Sequence, residues 1–424
     1  MLEKIKQVFK IKDLRSKIFF VLGLLVVSRI AAVIPVPGID TERLKSFFEG
    51  NQFFGLLNIF SGGALSNMSI VMLGVGPYIT ALIIMQLLTV VFPTIKEMYN
   101  EGGEAGRQKF NQYTRMATIP LALLQGYGLL ALLQNQHIID KLSIFNLITN
   151  LIVITAGTVF LMWIGELITE KKIGNGISIL IFAGIIAGIP TKFKQFYANF
   201  DPSLIPMIVG FIVSALLVIA GIVYMNESTR NIPVSYAKRI RGSKVYGGVS
   251  TYLPLKVNQA GVIPIIFAIS ILLFPEMIAN FGRLSSIGWI KSGSEWFLSF
   301  FQQGGALYTS AYFILVVLFT YFYTAITFDP KQISENVQKQ GGFIPGIRPG
   351  QPTTDFLFKI VNRITLFGAL SLGLIAVLPY IFRYFTGIAT LAIGGTALLI
   401  VVSVVIDIIK QVKAQLVMHE YDKY

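Results

Sequence analysis

Ten apolar runs constrain this chain more than any other feature of its sequence. They fall at about 18 to 35, 71 to 92, 117 to 134, 148 to 168, 176 to 190, 204 to 225, 257 to 278, 306 to 328, 360 to 380 and 385 to 406. Most approach the roughly 20 residues that a helix needs to cross the hydrocarbon core of a bilayer. The weak alternating pattern of a membrane β-barrel is absent. A helix satisfies its own backbone hydrogen bonds and can sit in lipid, so the runs predict an all-α polytopic membrane protein with ten transmembrane helices. A hydrophobic share of 54%, a charged share of 13% and a mean hydropathy of +0.69 place the chain well outside soluble globular domains.

The net charge of +14 could suggest a nucleic-acid binder, but its distribution follows membrane topology. With the N-terminus cytoplasmic, 26 of the 35 Lys and Arg fall on the cytoplasmic side and eight on the other, with Arg29 inside the first run. Positive charge is retained on the cytoplasmic side, so the bias predicts both termini inside. The basic start "MLEKIKQVFKIKDLRSK" precedes a long apolar run without a small-residue cleavage site, and reads as a retained cytoplasmic segment. The expected organisation is a cytoplasmic N-terminus at 1–17, a five-span half at 18–190, an external hinge at 191–203, a second half at 204–406 and a cytoplasmic tail at 407–424. Two cytoplasmic loops, at about 226–257 and 329–359, are long, basic and rich in Gly and Pro, and read as ordered protrusions.

The chemistry available is narrow. There are no cysteines and two histidines, which leaves no material for disulfides, thiolates or a His/Cys metal cluster, and no cofactor is expected. An ion-coupled transporter usually keeps ionisable groups near the midplane. Here Glu166, Glu276, Arg363 and Asp407 lie near run ends, within reach of the interface. Arg29 lies about a turn from Pro35 and Pro37, so snorkelling to the interface is its first reading and a structural pairing the second. No Ser/His pair, aspartate pair or metal-binding His motif occurs where an intramembrane protease would need it.

A short internal repeat runs through the two halves. "GVGPYI", from Gly74 to Ile79, recurs as "GVIPII", from Gly261 to Ile266, each in the second run of its half. Five spans per half is an odd number, so the two copies cross the membrane in opposite directions, as in an inverted repeat. The pairs Ile79 with Ile83 and Ile181 with Ile185 have the four-residue spacing of one helix face. Such faces pack, meet lipid, or form an apolar constriction that excludes water by dewetting. Spacing leaves these readings open.

"NIFSGGALSNMSIVML", Asn58 to Leu73, interrupts the apolar sequence with glycines, serines and asparagines. "LNIFSGGALSN" is too short and too polar to span, yet Leu57, Phe60, Ala64 and Leu65 keep a helical spacing. A short half-helix at about 57–70, shielded from lipid, is the expectation.

"NIFSGGALSNMSIVMLGVGPYITALIIMQLLT", "GELITEKKIGNGISILIFAGIIAG", "VYGGVSTYLPLKVNQAGVIPIIFAISILLFP", "GGFIPGIRPGQPT" and "IGGTALLIVVSVVIDIIKQV" resemble, in order and spacing, the SecY family of channel-forming subunits of the bacterial Sec translocase. The resemblance covers essentially the whole chain. It implies two pseudo-symmetric inverted five-helix halves around an hourglass pore, a plug half-helix and a lateral gate, and it implies passage of unfolded secretory polypeptides and lateral release of transmembrane segments.

Energy would come from the SecA motor ATPase or the translating ribosome, which removes the need for a coupling-ion site and for enzymatic activity in this chain. Positions matching the pore ring are Ile79, Ile83, Ile181, Ile185, Ile266 and Ile400. The plug maps to Leu57, Asn58, Ile59, Phe60, Ser61, Gly62, Gly63, Ala64 and Leu65. The lateral gate lies between the second and third spans on one side and the seventh and eighth on the other, with Thr80 and Gln86 as candidate contacts.

Arg239, Arg241, Lys244 and Arg348 match the protrusions that engage SecA or the ribosome. Small partner subunits, SecE and usually SecG, nascent chains with signal sequences, and the lipid of the bacterial cytoplasmic membrane complete the implied partners. A solute transporter, or an insertase without a through-pore, are the competing classes.

Overall fold

The computed structural model describes residues 8–37, 58, 61–100, 102–135, 139–140, 142–198, 205–236, 239–241, 244–246, 250–283, 287–301, 305–386 and 389–421. Its elements are, in order, α1 (Lys12–Ala31), α2 (Gly76–Val91), α3 (Pro93–Asn100), α4 (Gly103–Asn135), α5 (Ile144–Glu170), α6 (Gly176–Ala198) and α7 (Ile205–Glu227). Then come β1 (Thr229–Tyr236), β2 (Arg239–Arg241), β3 (Lys244–Tyr246), β4 (Ser250–Lys256), α8 (Ile263–Gly282), α9 (Gly288–Phe300) and α10 (Ala306–Thr327). The chain closes with α11 (Pro330–Lys339), β5 (Gly342–Phe343), α12 (Gln351–Thr386) and α13 (Ala389–Tyr421).

Each apolar run has its helix, and α3, α9 and α11 are additional. Several helices outrun their apolar stretch: α4 begins at Gly103, α12 at Gln351, and α13 continues to Tyr421. The second long loop therefore contains α11, β5 and the start of α12, and the C-terminal tail is helical to Tyr421. Hydropathy marks where lipid begins, whereas a helix continues as long as its backbone ladder and caps allow.

By length and composition alone, four described helices can cross a membrane: Gly103–Gln134, Ile144–Glu170, Ala306–Lys339 and Gln351–Ile381. Gly76–Val91 qualifies only together with Pro93–Tyr99, to which it is bent by 114° at Phe92. Gly176–Pro190, Ala215–Glu227 and Ile263–Leu272 are apolar but shorter.

Packing repeats between the halves. In the first, α2 packs on α4, α4 on α5, α5 on α6, and α1 on both α5 and α6. In the second, α8 packs on α10, α10 on α12, α12 on α13, and α7 on both α12 and α13. Counting five spans from the start of each half, the two patterns coincide helix for helix. The halves meet where α2 touches α8 and α6 touches α13, each helix against its own counterpart. Contacts of that kind lie along the axis relating two copies of a repeat.

The two long loops form one unit. β1 pairs antiparallel with β4 from Thr229 opposite Lys256 to Ser235 opposite Ser250. The other edge of β1 takes β5, with Ser235 opposite Phe343 and Tyr236 opposite Gly342. Ile232, Val234 and Leu255 from the sheet bury themselves with Ile344, Leu357 and Val361 from the second loop and α12. Asp329 caps α11 by accepting from the backbone N–H groups of Lys331 and Gln332, with Pro330 starting the helix.

Candidate functional site

The six isoleucines lie on the four helices that join the halves: Ile79 and Ile83 on α2, Ile181 and Ile185 on α6, Ile266 on α8 and Ile400 on α13. Five are buried, with exposures of 1% to 4%, in one apolar cluster, and half-buried Ile185 packs against it. Residues up to 321 positions apart in sequence thus share one cluster at the meeting line of the halves. Their side chains are branched and apolar, which gives water and ions no hydrogen-bonding partner.

The segment that sequence reading assigned as a stopper docks against this cluster. Leu57, Ile59 and Phe60 lie outside the described residues. From Ser61 to Val75 the chain runs mostly as consecutive turns and not as a continuous helix. Gly62 and Gly63 hold φ of +66° and +84°, and Met68 +43°, values that interrupt a right-handed helix.

The polar groups that looked out of place in a membrane protein serve this irregular backbone. Asn58 Oδ1 accepts from the N–H of Ser66, and its carbonyl accepts from Gly63 N–H and from the Ser61 hydroxyl. Ser61 Oγ in turn accepts from Leu65 N–H. Apolar residues anchor the segment on two sides. Ala64, Val71 and Val75 enter the cluster that holds the isoleucines, while Leu65, Met68 and Met72 enter a second cluster with Leu130 and Leu133 of α4 and Ile154 of α5. Ser69 bridges to Pro35 beyond α1, with Val36 N–H donating to Met68 O and Ile70 N–H to Ile34 O.

Two further residues hold this site together, one by the second of its sequence readings and one that the sequence reading did not single out. Arg29 does not snorkel to the interface: its Nη1 donates to the carbonyl of Gly62 at 2.7 Å. The structural pairing wins because a turn backbone offers an unpaired carbonyl at the end of α1, and a guanidinium strengthens such a bond. Gly184, between Ile181 and Ile185 on α6, approaches Gly62 so closely that a Cβ on either residue would lie 2.5 to 2.7 Å from the other's Cα. The lone charge in an apolar run was a legible signal for Arg29. Nothing local marked Gly184.

The proposed gate residues sit differently from one another. Thr80 donates to Gly76 O on its own helix and accepts from Gln125 Nε2 of α4 at 3.4 Å, a contact within the first half. Gln86 is buried, and its Oε1 has no hydrogen-bond partner among the described residues. Helix α8 packs against both α2 and α4, so the line between the halves is closed along these helices.

Of the charged residues placed near run ends, Glu166 pairs with Arg115 of α4 at 2.6 Å. Glu276 is buried on α8, six residues before its end at Gly282. Arg348 is exposed in the loop before α12, whose geometry is fixed by Thr353 donating to Arg348 O and by buried Ser334 donating to Gly350 O. Arg239, Arg241 and Lys244 lie on the β2–β3 hairpin, with Arg239 opposite Tyr246 and Arg241 opposite Lys244.

Sequence reading also missed a buried amide cluster at the base of that basic loop. Asn258 Nδ2 donates to Asn226 Oδ1 at 2.7 Å, and Asn226 Nδ2 reaches Ser403 Oγ at 3.5 Å, one turn beyond Ile400 on α13. Lys410 adds an ion pair to Glu227 at 3.1 Å. No group of three His, Cys, Asp or Glu able to hold a metal ion occurs among the described residues.

The geometry describes a helical membrane protein built of two halves with matching packing, whose meeting line holds an isoleucine cluster against which the Ser61–Val75 segment docks. Solved structures share this fold. "The structure of a protein conducting channel" matches with a TM-score of 0.66 at 20% identity, covering 94% of this chain and 91% of that one. A structure concerned with the plug domain of SecY stabilising the closed state of the translocation channel matches with a TM-score of 0.65, also at 20% identity, over 92% and 90% of the two chains. The fold is that of the ten-span protein-conducting channels.

The SecY family model matches residues 69–409. The Protein translocase subunit SecY of Mycobacterium leprae (strain TN) is 44% identical over 431 residues, 97% of each chain. That of Streptomyces galbus is 43% identical over 440 residues, 100% of each. The chain belongs to the SecY family, the translocase subunits that form the protein-conducting channel.

Proposed function

We propose that Ile79, Ile83, Ile181, Ile185, Ile266 and Ile400 form the constriction through which an unfolded polypeptide passes. The residues from about 57 to 70 are the stopper that seals it at rest. The observation that carries this reading is the convergence of isoleucines from both halves on one cluster, with the Ser61–Val75 segment packed into the same cluster. An apolar ring excludes ions by dewetting and offers a passing chain no strong binding site. Displacing the stopper breaks the Arg29–Gly62 bond, its turn hydrogen bonds and its packing in two apolar clusters, and requires no span to unfold.

The line between α2 with α4 and α8 with α10 serves as the lateral exit for transmembrane segments. A signal helix entering there exchanges contacts with Thr80 and with the unsatisfied Oε1 of Gln86, for which a polar partner is favourable. Arg239, Arg241 and Lys244, on the separate pair of strands β2 and β3, together with Arg348 in the loop after β5, are the contacts for the SecA motor or the ribosome. One related structure is described as Sec61 in a ribosome-channel complex. Lys and Arg side chains suit the phosphate backbone of ribosomal RNA. SecE and SecG complete the complex, the bacterial cytoplasmic membrane holds it with both termini inside, and the chain itself carries no catalytic activity and no cofactor.

A photoreactive residue at Ile83 tests the reading. A stalled secretory chain should crosslink to it, and absence of adducts from a chain shown to be engaged would remove the ring assignment.

A further inference from the structure

Helix α9 joins two spans, α8 and α10, on the side of the membrane opposite the two termini. We infer that it lies in the headgroup region of that leaflet as an interfacial anchor, with Trp289, Trp296 and Phe300 inserted among the lipids. The inference needs only the membrane class and is independent of the pore assignment.

Three faces of α9 carry the argument. At about 100° per residue, Trp289, Trp296 and Phe300 project within about 40° of one another. All three are exposed, at 78%, 64% and 57%, and the rings of Trp296 and Phe300 stack obliquely at 4.9 Å. About a third of a turn away lie Ile290, Ser294, Phe297 and Phe301. This face meets protein: a Cβ on Gly282, at the end of α8, would collide with Ser294, and Phe301 packs edge-on against buried Tyr308 of α10 at 5.5 Å. The remaining arc carries Lys291, Ser292, Glu295 and Ser299, all exposed.

A helix lying on water needs two faces, polar and packed. The third face has no role there, since large exposed aromatic surfaces cost solvation. At a bilayer interface all three are used: one packs on the spans, one faces water, and the aromatic stripe enters the headgroup layer, where Trp is favoured.

Chain geometry sets the depth. Fewer than six residues separate α9 from either neighbouring span, so it cannot leave the plane where α8 and α10 emerge. Exposed apolar residues also flank the stripe in sequence: Ile278 on α8, Ile287 at the start of α9 and Leu307 on α10. The 13-residue helix is about 20 Å long, enough to lay both indoles on the same plane.

The composition provides a direct test. The chain has three tryptophans, the third being Trp163 on α5. The Trp163→Phe protein, in complex with its partner subunits, is reconstituted into vesicles whose phospholipids are brominated either near the headgroup or near the bilayer centre. Emission from Trp289 and Trp296 should be quenched more by the shallow bromines than by the deep ones. Emission left unquenched by both lipids, while acrylamide quenches it freely, overturns the inference. Protection from lipid and acrylamide together would mean that another protein surface covers the stripe, and overturns it equally.

The absence of cysteine allows a second reading that does not depend on Trp163. A membrane-impermeant maleimide should label Lys291→Cys from the outer side and leave Phe300→Cys largely unlabelled until detergent is added. Equal labelling of both positions in intact vesicles would place α9 in water.

Discussion

Arg29 Nη1 lies 2.7 Å from the carbonyl oxygen of Gly62, a hydrogen bond between the end of the first span and the turn segment 33 positions later, the proposed stopper. A guanidinium is an expensive group to keep inside a membrane protein, and here it holds a backbone that no helix ladder satisfies. Arg29→Ala should therefore loosen the closed state. Hydrogen bonds involving charged groups contribute about 1.5 to 3 kcal/mol, so the closed-to-open ratio should fall by roughly 10- to 100-fold. Single-channel conductance in planar bilayers measures the leak, and unchanged conductance would exclude Arg29 as the strap.

The contact between Gly62 and Gly184 predicts a sharper steric effect. Gly184→Ala would set its Cβ 2.5 Å from Gly62 Cα, a backbone clash that side-chain rotation cannot relieve. The stopper should be displaced and export of proteins with defective signal sequences should rise. Gly188→Ala, one turn along α6, meets nothing within 4 Å and should behave as the parent. Equal phenotypes would show that helix propensity and not the clash is responsible.

Ile400 is 1% exposed in the isoleucine cluster. Ile400→Asn buries an amide in an apolar setting at a cost of about 1 to 3 kcal/mol, which hydration of the axis would relieve. The expected results are ion leakage at rest and tolerance of weak signal sequences. Ile400→Val keeps the apolar branch and should leave both near the parent level.

Arg348 is exposed on a loop whose shape depends on Thr353 and Ser334 and not on its own side chain. Arg348→Glu should leave the fold intact. Loss of SecA-driven export with ribosome binding retained would assign it to the motor. Retention of both activities would take it off the contact surface.

Asn258 ties the basic loop to α7 and, through Asn226, to α13 near Ile400. Asn258→Ala leaves the Asn226 amide with one partner fewer in a buried site, and should lower the melting temperature of the purified complex by several degrees, corresponding to about 1 to 3 kcal/mol. A melting temperature equal to the parent's would mean that water replaces the lost bond.

Legibility varied across the molecule for definite reasons. The ten spans were readable because transfer into lipid is a nearly local sum over about 20 residues. The G-V-x-P-x-I repeat pointed to inverted halves, and the matching packing of α1, α2, α4, α5 and α6 with α7, α8, α10, α12 and α13 bears it out. Helix ends at α4, α12 and α13 were not legible, because the helix continues beyond the apolar stretch that marks the span. The break of helical form at Gly62 and Gly63 was hidden by the apolar spacing of Ala64 and Leu65. Arg29 was visible as a solitary charge, but its partner was not, and Gly184 gave no signal at all.

Sequence alone determined that the chain is a helical membrane protein, that it has no cysteine and two histidines, and that two long segments between its apolar runs are basic. Each of these follows from composition within a short window. Tertiary structure decided which isoleucines meet, that Gly62 closes on Gly184 under the hold of Arg29, and that β5 of one loop completes the sheet of the other. Lipid is as apolar as a packed core, so hydropathy cannot distinguish an isoleucine facing a neighbour from one facing the bilayer. Only the crossing of α2, α6, α8 and α13 makes that distinction.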